Sequence, residues 1–113
     1  MRARPRVMQR AQASENTQLF EVTNTNDRKQ MVLAISEGVA RILSETSRHI
    51  LDWQTGKCTV LVDSYLEKKD PGFAGAIKRA KKSGLQGVVE RKGEFALIGR
   101  EVFTPISGVD DIL

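Results

Sequence analysis

Residues that usually carry enzymatic and cross-linking chemistry are scarce in this chain. Its 113 positions hold one cysteine, Cys58, one histidine, His49, and 5% aromatic residues. A single thiol forms no internal disulfide, and a structural zinc site needs about four Cys or His ligands. A reducing compartment is the default for such a chain, so a cytoplasmic location is expected. No segment approaches the roughly 18 unbroken apolar residues of a membrane span, so no membrane partner is expected. Neither G-x-x-x-x-G-K-[ST] nor G-x-G-x-x-G occurs to cradle a phosphate. His49 falls on the apolar stripe of a predicted helix and reads as a packed side chain rather than a general base. Cys58 lies in an apolar run with no local activating partner. The pair Asp110-Asp111 has no third ligand nearby and reads as a solvated terminus. No catalytic residue, metal or cofactor is assigned, the chain is read as a non-enzyme, and an enzyme acting on a phosphorylated small molecule ranks last among the functions weighed. With so few rings the core must be aliphatic. Phe73, Phe95 and Phe103 read as core, which leaves Trp53 and Tyr65 as the only amphipathic rings for stacking on bases.

Charge is plentiful, and it is unevenly placed. The chain has 18 basic and 14 acidic residues, for a net charge of +4. Residues 1–14 carry Arg2, Arg4, Arg6 and Arg10 with no acid, and residues 68–82 carry Lys68, Lys69, Lys78, Arg79, Lys81 and Lys82 against Asp70 alone. The remainder holds eight basic residues and thirteen acids. The chain therefore reads as an acidic body with two basic regions, a polarity that bears on partners.

The element pattern fits one domain. Residues 1–18 show no sustained period and read as a basic arm; an Arg-rich, acid-free start also fits an organelle transit peptide, a reading weighted lower. Leu19–Thr23 alternates weakly, as a short edge strand does. Asp27 and Gln30 fit a capping box. Val32, Ile35, Val39, Ile42, Thr46, His49 and Trp53 then recur at spacings of three and four, which predicts one amphipathic helix from about residue 28 to about 53. Gly38 inside it costs about 1 kcal/mol or permits a close backbone approach. Cys58–Val62 predicts a strand buried on both sides. Asp63–Lys69 is open between an extension of that strand and a helical turn. Asp70-Pro71 starts a helix and Ser83-Gly84 ends it. Gly87–Ile98 predicts a β-hairpin with Arg91, Lys92, Gly93 and Glu94 at its turn. Val102, Phe103 and Ile106 predict a last extended piece.

The fold class expected is α+β: a two-layer sandwich with a long and a short helix on one face of a small mixed or antiparallel sheet. The alternative is a winged helix, with Asp63–Lys69 and Phe73–Ser83 as its helical pair and the hairpin as its wing. The domain spans 19–107, between the arm at 1–18 and an acidic tail at 108–113. The leading functional expectation is a small nucleic-acid-binding accessory protein, for DNA or RNA. Arg2, Arg4, Arg6 and Arg10 of the arm, Lys78, Arg79, Lys81 and Lys82 of the helix end, and Arg91 and Lys92 of the hairpin would contact phosphates. The alternative is a structural or assembly subunit that uses its terminal arms, with Ile112 and Leu113 as apolar anchors, to contact a protein partner or a second copy.

Overall fold

The computed structural model describes residues 7–8, 16–24, 28–46 and 55–105. In chain order the elements are β1 (Val7–Met8), β2 (Gln18–Asn24), β3 (Lys29–Ala34), α1 (Glu37–Thr46), β4 (Thr55–Leu61), α2 (Asp63–Lys69), α3 (Pro71–Ser83), β5 (Gln86–Lys92), β6 (Phe95–Ile98) and β7 (Glu101–Phe103). Six strands lie in the order β4-β2-β3-β5-β6-β7, every pair is antiparallel, and β1 is a seventh strand held on β5. The chain is thus mixed α+β, with three helices and an antiparallel sheet among the described residues.

The sheet is covered on both sides, which differs from the expected two layers. Strand residues alternate faces. Leu19, Leu33, Val89, Ala96 and Ile98 point to one side and pack with Leu66, Phe73, Ala76, Ile77 and Ala80 of α2 and α3. Phe20, Val22, Val32, Ala34 and Val88 point to the other side and pack with Ala40 and Leu43 of α1. The result is three layers, α1 / sheet / α2-α3. The hairpin that a winged helix would use as a wing is an interior part of this sheet.

The predicted long helix is corrected for the same reason. Residues 29–34 form β3, between β2 and β5, and among the described residues of the predicted span the helix is Glu37–Thr46. A strand buried on both faces shows a continuous apolar run, and Met31–Ile35 matches a helical stripe equally well. Ser36 marks the true start, its Oγ accepting the Val39 amide at 3.2 Å. Gln30 lies in β3, and its Oε1 accepts the hydroxyl of the buried Ser44 at 2.6 Å. The capping partner Asp27, together with His49 and Trp53, lies outside the described residues.

Two further strands change place. β2 is flanked on both sides rather than at an edge, and β4 is an edge strand with Gly56, Lys57, Thr59 and Val60 exposed. Asn24 closes the β2–β3 loop, accepting the Arg28 amide on its Oδ1 at 2.7 Å.

The second half follows its sequence signals. Asp63–Lys69 is a helix, α2. Asp70 caps α3 by accepting the Phe73 amide at 3.3 Å, and Gly84 ends it in the left-handed conformation at φ 74°. Gly93 forms the β5–β6 turn with Glu94 at φ 61°. At Gly75, α3 meets the chain leaving β7, where an added Cβ would sit 2.7 Å from the Pro105 carbonyl oxygen. Backbone on both sides leaves little room to yield. Gly75→Ala is expected to destabilise the protein by about 1–3 kcal/mol, as overpacking does. Gly38→Ala is the control, since its Cβ would meet only Ser36 Oγ at 3.9 Å. It should stabilise by about 0.4–1 kcal/mol. Chemical denaturation of both variants checks the pair, and the opposite signs are the expectation.

Candidate functional site

The sheet and the α2–α3 pair decide what the basic residues face. α2 lies against α3 and brings two acids to its flank. Lys78 Nζ is 2.5 Å from Glu67 Oε1, and Lys81 Nζ is 2.7 Å from Asp63 Oδ1. The hydrogen bond from Lys78 to Glu67, and the Glu67 charge, raise the lysine above its ordinary pKa. Arg79 donates to the Thr104 hydroxyl at 2.8 Å, tying α3 to the chain after β7. Lys82 is exposed and, among the described residues, has no ion-pair partner. The α3 end is therefore a laced helix pair more than a bare patch of cations.

The hairpin cations divide in the same way. Arg91 belongs to β5, and its guanidinium binds the Asp70 carboxylate that also caps α3. The guanidinium stands 4.7 Å from the centroid of the Phe73 ring, a cation–π contact. Its Nε donates to the Gly93 carbonyl at 2.7 Å. The Glu94 carboxylate lies against Gly72, so the hairpin turn folds onto the first turn of α3, where negative charge suits the helix dipole. Lys92, next in sequence, points away from this network and has no ion pair among the described residues. Arg2, Arg4, Arg6 and Arg10 lie outside the described residues, although Val7 and Met8 between them pair with Gly87 and Gln86 of β5. That pairing occupies the part of the β5 edge that β6 leaves open.

Of the nucleophile and metal candidates, Cys58 lies among the described residues, and His49, Asp110 and Asp111 lie outside them. Cys58 is half-buried on β4, and burial, reinforced by the Glu37 charge and opposed by Arg41, raises its pKa. It is held as a thiol, the less reactive form. Among the described residues no three His, Cys, Asp or Glu side chains gather for a metal ion. None of the described helices is long and apolar enough to cross a membrane. A shallow depression beside Ser64, Tyr65, Glu67 and Lys68 is open to solvent. Tyr65 there accepts a hydrogen bond from Lys69 on its hydroxyl at 3.0 Å, and the same ammonium stands 5.4 Å from the centroid of its exposed ring.

One surface was not read from the sequence. On the α1 side of the sheet, α1 covers β4, β2, β3 and the start of β5. Beyond it no described element lies over β6 and β7 on that side. The register places Glu90 beside Leu97, Leu97 beside Val102, and Lys92 beside Phe95, all on this face. Phe95 is 44% exposed and Val102 53% exposed, with Leu97 half-buried. Phe95 is thus not core, unlike Phe73. The reverse side of the same strands is closed, with Ala96 and Ile98 buried under α3. β6 reads Phe-Ala-Leu-Ile, apolar on both faces, and among the described elements a helix covers one of them.

Compared with known proteins, the chain matches no family model, no curated protein and no solved structure.

Proposed function

We propose that the protein is an assembly subunit: a small protein-binding module that docks a partner on the part of its sheet that no described element covers. The observation that carries this is the row Phe95, Leu97 and Val102, left apolar and accessible on strands whose opposite face packs against α3 through Ala96 and Ile98. Single exposed apolar residues are ordinary, whereas aligned ones on neighbouring strands offer a continuous contact surface. Phosphate binding through the α3 end fits less well. Glu67 and Asp63 already hold Lys78 and Lys81, and Asp70 holds Arg91, so a phosphate must displace a carboxylate at each. Lys82 and Lys92 remain as separate cations rather than as a cluster.

The test is the size of the native complex. In extracts of the cell of origin the wild-type chain should elute well above its 12.6 kDa mass and resist nuclease. Phe95→Ser with Val102→Asp should elute as a folded monomer. A complex dissolved by nuclease or by moderate salt, as phosphate contacts are, favours the nucleic-acid function instead. Identical elution of variant and wild type counts against docking at this face.

A further inference from the structure

Resting on the docking function above, we infer that the occupant of this face is a single amphipathic helix from a partner protein, with acidic residues bordering its apolar stripe. The shape of the site argues for one helix. Two strands, β6 and β7, at about 4.8 Å spacing make a floor roughly 10 Å wide, which matches a helix about 10–12 Å across with its side chains. The floor is Phe95, Leu97 and Val102. One wall is α1. Its Arg41 reaches the Gly56 carbonyl at 2.6 Å, which fixes that flank toward β4. At about 100° per residue, Val39 then falls on the flank toward β5, and Ile42 lies above it on the side turned from the sheet. Val39 is half-buried and Ile42 exposed, so the wall meets the floor with an apolar edge. A helix fills the corner between them, as α3 fills the reverse side of the same strands.

A second copy of this chain fits less well. Face-to-face contact across two strands and about four residues covers on the order of 100 Å², against about 800 Å² per partner in a stable interface. A helix gains by touching wall and floor at once.

Charge sets the flanks. Lys92 sits beside Phe95 at one end of the floor, and Arg100 stands in the β6–β7 turn at the other. Both are exposed, and neither has an ion pair among the described residues. Glu90 lies on the same face, so the attraction for acids comes from the two ends rather than from the middle.

The test uses the full chain, isotope-labelled, titrated with designed single-helix peptides that share one leucine stripe at three- and four-residue spacing. One peptide carries glutamates beside the stripe, the other lysines. The glutamate peptide should shift the amide signals of Ile42, Phe95, Leu97 and Val102. It should bind about three- to tenfold more tightly than the lysine peptide, the scale of two exposed ion pairs. Val102→Asp should weaken it at least about tenfold, the scale of a lost apolar contact at an interface centre. Lys92→Glu with Arg100→Glu should reverse the preference between the peptides. Shifts confined to β4, no shifts with either peptide, or equal binding of the two would overturn the helical, acidic occupant. If those results coincide with a nuclease-resistant complex lost in Phe95→Ser/Val102→Asp, docking stands and only the nature of the occupant is wrong.

Discussion

Ile77→Ala and Leu43→Ala should each lower the stability of the protein by about 2–5 kcal/mol, and their effects should add. Both side chains are fully buried, Ile77 in α3 and Leu43 in α1. Ile77 belongs to the core between the sheet and α2-α3, and Leu43 to the core between the sheet and α1. The sheet stands between them, and they share no packing partner. Cavities on opposite sides of a sheet relax independently, so the coupling should stay below about 0.5 kcal/mol. Denaturant titration of the two single variants and the double variant measures it. Because marginal stability is about 5–15 kcal/mol, Ile77→Val replaces Ile77→Ala if the double variant does not fold. Coupling of more than about 1 kcal/mol would place both residues in one core and return the fold to two layers.

Phe73→Ala should cost about 3–5 kcal/mol. The ring is 1% exposed and lies at the start of α3, where three features meet: the Asp70 cap, the Arg91 guanidinium over the ring, and the core beneath. Phe73→Leu keeps most of the volume and removes the π face. It should cost about 1–2 kcal/mol, of which the cation–π contact supplies about 0.5–1. A double-mutant cycle between Phe73→Leu and Arg91→Met isolates that contact. A coupling near zero would mean that Arg91 does not rest on the ring and is available to a ligand. The cycle therefore decides whether Arg91 is a structural residue or a phosphate contact.

The parts of the fold legible in sequence are those whose signals are local. Asp70-Pro71 and Ser83-Gly84 bracket α3 because capping and left-handed turns act within a few residues. Gly93 betrays the hairpin turn for the same reason. β3 was illegible as a strand because its burial on both faces erased the alternation that marks a half-exposed one. β4 failed in the opposite sense: Cys58–Leu61 is apolar enough for a central strand, yet it lies at the sheet edge.

The candidate site was less legible. Clustered lysines at 78–82 stand out in the sequence, but the acids that answer them, Asp63 and Glu67, come from a separate helix and face them only through tertiary packing. Arg91 likewise meets Asp70 across 21 positions. The uncovered strip had no signal of its own. Phe95 and Leu97 on one face of β6, and Ala96 and Ile98 on the other, look equivalent until the helices are placed.

Site-directed photo-crosslinking tests the central claim most directly. A photoreactive phenylalanine analogue replaces Phe95 on the strip or, in a separate protein, Lys82 at the end of α3, and each is irradiated in the cell of origin. The Phe95 position should give a discrete protein adduct, sensitive to protease, resistant to nuclease and lost when Val102→Asp is added. The Lys82 position should give none. A nuclease-sensitive adduct at Lys82, with nothing captured at Phe95, would contradict protein docking on this part of the sheet.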